Sequence, residues 1–201
     1  MIPSLAQTFL LYDRLFSVAK TINSTATEAV TGVPTRYQNT SAGTQDAIAG
    51  NFLFLPVGGT ALANTAHNWT VCQYTNQAGT TAQSIPSFAG NPGAVSTIVD
   101  RLDMPNGTWF VPLIAGDTGI KALSQMQCSA LVATGVLDFV IGHPLAWFPC
   151  PLANVGCMFD GINTAFNLVR IFDSACMSLL EVSAPATTAT NVSGSITIVQ
   201  G

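Results

Sequence analysis

Two histidines and a handful of carboxylates bound the acid–base chemistry open to this chain of 201 residues. His67 sits in an Ala/Asn-rich loop, and His143 precedes Pro144. Asp138 and Asp173 are the carboxylates that could orient His143. A catalytic histidine needs a nucleophile and an orienting group beside it. The chain carries no G-x-S-x-G elbow, no P-loop and no H-E-x-x-H helix to supply them. Both histidines therefore read as loop residues making ordinary hydrogen bonds. Asp100 and Asp103 flank Arg101 in VDRLDMPNG; two acids three apart could take a divalent cation, but a turn ion pair with Arg101 accounts for them more simply. Asp117 in AGDTG lacks the further ligands of a calcium loop, and an Asp that bonds its own turn backbone suffices. No catalytic, cofactor-binding or metal residue is assigned, and the chain reads as a non-enzyme.

The aromatic residues offer recognition rather than chemistry. Trp69, Trp109, Trp147 and Phe148 could stack on a sugar or a base. Trp69 and Trp109 fall at alternating strand positions and read as core. Trp147-Phe148 lies between prolines in an irregular stretch and is the best candidate for an apolar anchor at a protein interface. Phe9, Tyr12, Leu15 and Phe16 join it as interface candidates.

The five cysteines (Cys72, Cys128, Cys150, Cys157, Cys176) are odd in number and irregular in spacing. Cys150-x6-Cys157 fits no common zinc pattern. The residues read as small buried hydrophobes in a reducing cytosol rather than as a disulfide framework.

Charge is scarce. Ten acidic and six basic residues make 8% of the chain, while mean hydropathy is +0.42; an average soluble domain has about 25%. A compact monomer of this size would expose roughly 9,000 Å², about one charge per 560 Å². Such a surface is poorly protected against self-association, so neighbours are expected to cover much of it. The net charge of −4 and the dispersed basic residues give no footprint for nucleic acid and none for an anionic membrane. Met1-Ile-Pro-Ser has no basic n-region, so no secretory signal is expected. The apolar stretch Leu131–Met158 is broken by Asp138, His143 and three prolines, which no spanning helix would carry. Five Asn-x-Ser/Thr triplets suit the Asn- and Thr-rich composition and need no glycan.

These residues must be positioned mostly by strands. Residues 5–20 place Leu5, Phe9, Tyr12, Leu15, Phe16 and Ala19 at spacings of three and four, which predicts a helix. Residues 21–47 read as an arm or long loop. Strands are predicted at 48–55, 69–74, 80–85, 108–114, 123–132, 136–142, 175–182 and 195–199. Asn76-Gln-Ala-Gly79 turns the second of these into the third as a hairpin. Along 123–132 the even positions Ser124, Met126, Cys128, Ala130 and Val132 are predicted to face the core. Residues 143–170 read as irregular chain. The pattern predicts an all-β, jelly-roll-like sandwich with one N-terminal helix and extended terminal arms. Its parts are 1–47 (helix and arm), 48–182 (sandwich) and 183–201 (tail).

Five segments together resemble a family of tailed-bacteriophage virion proteins: LLYDRLFSVA (10–19), CQYTNQAGTTAQ (72–83), VPLIAGDTGIKALSQMQCSA (111–130), TGVLDFVIGHPLA (134–146) and VRIFDSACMSLLEV (169–182). They span most of the chain in family order. Asp138-Phe139 stands where the family commonly has Asn-Phe, and the tail beyond 183 has no counterpart. The resemblance implies a structural particle component without catalytic residues or cofactor. Its role would be head decoration, or cement, on the major capsid protein, in the virion head after synthesis in the bacterial cytoplasm. Assembly with itself, by analogy as a trimer, is expected. A minor capsid or tail-associated protein, or a receptor- or glycan-binding module on the particle, is the alternative.

Overall fold

The computed structural model describes residues 1–4, 6–90, 101–105, 108–132, 134–158, 160, 170–182 and 192–198. Among these the chain is all-β, with no helix. Its strands are β1 (Ile2–Pro3), β2 (Gln7–Lys20), β3 (Glu28–Ala29), β4 (Phe52–Phe54), β5 (Asn68–Asn76), β6 (Gln83–Ser84), β7 (Phe88–Ala89), β8 (Ile120–Cys128), β9 (Leu137–Cys150), β10 (Met177–Glu181) and β11 (Val192–Ser193). One sheet has the order β10-β2-β9-β4. A second runs β3-β8-β5-β6, with β7 also paired to β5. β1 and β11 form a separate ribbon. The strand pairs with a recorded register are antiparallel.

The predicted N-terminal helix is a strand. Phe9-Leu10-Leu11-Tyr12 is a run of four apolar side chains, all buried. A short continuous run of this kind is ambiguous between a helix and a strand covered on both faces. Long-range pairing with β10, from Phe9↔Glu181 to Asp13↔Met177, decides for the strand.

The chain divides into two compact units. Unit 2 comprises Arg14–His143 and Phe172–Cys176. Its core is fed by both large sheets: Leu53, Phe139 and Ile141 come from one, and Trp69, Cys72, Tyr74, Leu123 and Met126 from the other. Phe139 meets Trp69 edge-on with ring centroids 5.5 Å apart. The predicted hairpin forms: Gln73 and Tyr74 pair with Ser84 and Gln83. Gly79 takes φ +82°, and the Asn76 side chain accepts the Ala78 and Thr80 N–H groups. In β8, Met126 and Cys128 face the core as expected, and Leu123 does so too. Pairing with β5 slips between Gln73 and Tyr74, which changes the phase of the alternation.

Three further expectations are corrected. Residues 108–114 form no strand, and Pro112 cannot donate to a ladder; Val111 N–H donates to the Leu53 carbonyl of β4 at 2.8 Å. Strand β9 continues through Pro144 and Pro149 to Cys150, where irregular chain was predicted. Near the C-terminus the strand is Val192–Ser193, and 195–198 are not paired.

Unit 1 comprises Met1–Asp13, Pro144–Ile171 and Met177–Gly201. Here β1 pairs Ile2 with Ser193 and Pro3 with Val192. On its other side the Met1 carbonyl accepts from Cys157 N–H at 2.9 Å, and the Pro3 carbonyl from Asn154 N–H at 2.8 Å. Cys150 and Cys157 are joined by a disulfide, which corrects the reading of five free thiols. The strand end at Cys150 and the turn through Asn154 (φ +58°) bring their Cα atoms to 5.7 Å, inside the range a bridge requires.

Replacing Phe139 with Ala should cost about 3–5 kcal/mol of stability, read as a lowered midpoint in chemical denaturation. Thiol titration of the unfolded chain should find three reactive cysteines without reductant and five after reduction.

Candidate functional site

His67 is enclosed, with a partner at each ring nitrogen. It lies just before β5, whose second residue is Trp69. Its Nδ1 is 2.7 Å from the Thr65 carbonyl, and its Nε2 is 2.9 Å from Asp103 Oδ2. Trp69 Nε1–H donates to the same oxygen at 3.1 Å. Both partners of the pair are fully enclosed. A carbonyl only accepts, so Nδ1 carries a hydrogen. Nε2 faces the Asp103 carboxyl, so the arrangement is a buried histidine–aspartate pair. Burial pushes the imidazole pKa down, but the hydrogen bond and charge of Asp103, with the Thr65 carbonyl, hold it above the usual value. Gly90 makes room for the ring, since a Cβ there would stand 2.2 Å from Nε2.

His67 is a hydrogen-bonded loop residue, as expected, but one whose ring is enclosed. Asp103 is fully buried and takes His67 and Trp69; Asp100 lies outside the described residues. The sequence offered only a weak signal, a Trp two residues after a His. Nothing local pointed to Asp103, which stands 36 positions away.

His143 is built differently. Asn51 Nδ2 donates to the Tyr37 and Ile120 carbonyls at 3.2 Å each, which turns Asn51 Oδ1 toward His143 Nδ1 at 2.8 Å. Tyr37 stacks flat on the imidazole, with centroids 3.8 Å apart. Asp138 is five positions away along the same strand and on its opposite face, roughly 16 Å distant. Asp173 is exposed in the turn after Phe172. His143 is thus held by the Asn51 amide and the Tyr37 ring.

Asp117 closes a third polar cluster. Tyr74 O–H donates to its Oδ2 at 2.5 Å and Asn76 Nδ2 to its Oδ1 at 2.8 Å, while Ile114 N–H donates to the Tyr74 oxygen at 3.1 Å. Burial and the Asp117 bond push the Tyr74 phenol up to about 12. Cys72, buried beside it in sequence and in the core, is likewise pushed up to about 12 by burial, which removes it as a nucleophile near neutral pH. No cluster of three or more His, Cys, Asp or Glu suited to a metal occurs among the described residues. A cleft lined by Lys20, Ile22, Glu28, Trp69, Met126 and Phe139 offers about 10 Å³, space for one water molecule.

The surface is more informative. Among the described residues ten large hydrophobic side chains are exposed, and eight of them belong to unit 1: Trp147, Leu152, Val155, Met158, Met177, Leu179, Ile196 and Ile198. The unit holds four charged side chains, Asp13, Asp160, Arg170 and Glu181. Of the interface candidates, Trp147 is 45% exposed and Phe148 partly so. Phe9 and Tyr12 are buried within the chain, and Leu15 and Phe16 pack partly against the unit 2 core. Trp69 is core, and Trp109 is half-buried. Sequence reasoning missed Met158, which is 91% exposed.

Comparison with family profiles, with curated proteins and with solved structures finds no match for this chain.

His67 makes a prediction about pH. Its folded pKa lies above the unfolded value of 6.5, so between the two the native state holds a proton that the unfolded chain has released. The stabilisation is complete below 6.5 and is lost as pH rises through the folded pKa. Urea titrations at rising pH should show that decline in the wild type, and His67→Gln should flatten it.

Proposed function

We propose that this chain is a non-enzymatic structural component of a tailed-phage virion, acting as a head decoration (cement) protein that bridges major capsid subunits and associates with itself. One observation carries the reading: eight large apolar side chains stand exposed in a unit with four charges. A surface so rich in apolar side chains and so poor in charge is weakly protected against association, which supports an interaction role. The five segments that resemble phage virion proteins supply the identity of the partner. The three polar clusters hold loops to strands.

A jelly-roll-like sandwich belongs to the same proposal. It is supported by two antiparallel sheets that feed one core in unit 2. The Cys150–Cys157 bridge suits a particle that persists outside the reducing cytoplasm where it is made. Cementing follows from area: each 1,000 Å² of apolar surface removed from water contributes up to about 25 kcal/mol before association costs, and repetition over a shell adds avidity. Trp147, exposed and aromatic, also suits a glycan-binding module on the particle, so that reading is carried into the test.

Purified chain should co-sediment with capsid shells that lack it and raise their resistance to heat. Trp147→Ala should weaken shell binding tenfold or more, as loss of an interface hot spot does. A chain that leaves shells untouched overturns the proposal. Glycan-array binding lost in the same variant would replace it with the receptor reading.

A further inference from the structure

Unit 1 carries its disulfide on a segment that packing barely holds. Cys150 ends the 14-residue strand β9 and is buried. Residues 151–156 after it are all exposed, so burial contributes little to their placement. Two other restraints act on them. The bridge to Cys150 holds Cys157, with the Cα atoms 5.7 Å apart. Backbone bonds then join the segment to β1. Met1 N donates to the Cys157 carbonyl at 2.8 Å, Cys157 N–H to the Met1 carbonyl at 2.9 Å, and Asn154 N–H to the Pro3 carbonyl at 2.8 Å. The first two are the reciprocal pair of an antiparallel ladder. Pro3 has no N–H, so at that position the contact needs only the donor that Asn154 supplies. All of these residues belong to unit 1.

We infer that Cys150 and Cys157 form a redox latch: oxidised, the pair docks segment 151–157 on β1, and reduced, it releases that segment. Without the bridge the far end of the segment is free to leave the end of β9. Backbone bonds between groups that water can also satisfy contribute little net stability, so they do not hold an exposed segment alone. Closing is a thiol–disulfide exchange with a small disulfide such as oxidised glutathione. The Cys157 thiolate attacks one sulfur of the reagent and expels the other half as a thiolate, which leaves a mixed disulfide. The Cys150 thiolate then attacks the Cys157 sulfur and expels the second half. The protein gives up two electrons and two protons, and the reagent takes them as two thiols. Opening reverses the steps with a dithiol as reductant. Cys157 is the sulfur that such reagents meet, because that residue is partly exposed while Cys150 is buried. Leu152 and Val155, 60% and 50% exposed, ride on the segment, and Met158, 91% exposed, follows it. The latch therefore sets whether these apolar side chains stand in a fixed array. It goes beyond the virion reading and does not depend on it.

Hydrogen exchange on the full chain tests the latch. In the oxidised chain the amides at 154 and 157, which donate to β1, should exchange slowly. Dithiothreitol, or the double variant Cys150→Ser/Cys157→Ser without reductant, should speed both by about tenfold or more. The Ile85 and Val111 amides, which donate to the Cys72 and Leu53 carbonyls within unit 2, should keep their rates. Oxidised glutathione should restore slow exchange at 154 and 157 in the reduced wild type and change nothing in the variant. Equal rates at 154 and 157 in both redox states overturn the latch. So does loss of protection at Ile85 and Val111 together with theirs, which makes the bridge a staple of the whole fold. Peptide mapping of the oxidised chain that finds both thiols free overturns it as well.

Discussion

Satisfying buried polar groups with few charges is the constraint on which this structure depends. Long loops must cross a core fed by two sheets, and their backbone groups cannot be left dry. No buried side-chain nitrogen or oxygen among the described residues lacks a partner. Three polar side chains do much of that work. Asp103 joins the 101–105 segment to His67 and Trp69. Asp117 joins the 115–119 turn to Tyr74 and Asn76 at the end of β5. Asn51 joins β4's entry to Tyr37, Ile120 and His143. Each connects segments far apart in sequence, so each also fixes a loop that propensity alone would leave free. In a low-dielectric interior such bonds are strong when complete and costly when one partner is lost.

The same economy explains the difference between the two units. Unit 2 spends its apolar side chains inward, and Val33 and Leu131 are its exposed large hydrophobics among the described residues. Unit 1 leaves eight outside. Its covalent bridge and the ribbon of β1 with β11 hold chain segments together, a form of restraint that small cores use when burial is insufficient. A unit organised in this way is held together without needing to hide its surface, which leaves that surface available to a neighbour.

The legible parts of the sequence were those with local physical causes. The β5–β6 hairpin could be read because Asn76 and Gly79 meet a turn's backbone requirements by themselves. The core face of β8 could be read from alternation at Met126 and Cys128. Residues 7–20 were misread because Phe9 to Tyr12 are apolar on both faces, and only pairing with β10, some 165 positions on, selects the strand. Strand β9 was cut short at Pro144 because a proline demotes a strand by rule, whereas one whose missing N–H faces away from the ladder is tolerated. The His67–Asp103 pair was invisible for another reason: nothing in one sequence reports which loop histidine is enclosed. Trp147 could be singled out because an aromatic between prolines has few ways to be buried; Met158 could not, since methionine serves cores and surfaces alike.

An edge strand without lysine, arginine or proline is a hazard that evolution ordinarily removes. β10 retains Met177 and Leu179 at positions where a lysine would cost the fold little, because side chains about 40% exposed contribute only part of their burial energy to the monomer. The apolar choice is therefore neutral or harmful for an isolated chain and favourable only if those side chains are covered. The same logic applies to Trp147 and Met158. Under the proposed function, free energy forgone in the monomer would be recovered on association, and the exposed set in unit 1 would be half of an interface. Scarcity of charge then has one physical meaning across the chain: inside, amides and single carboxylates replace ion networks, and outside, an uncharged surface lowers the desolvation cost of being covered.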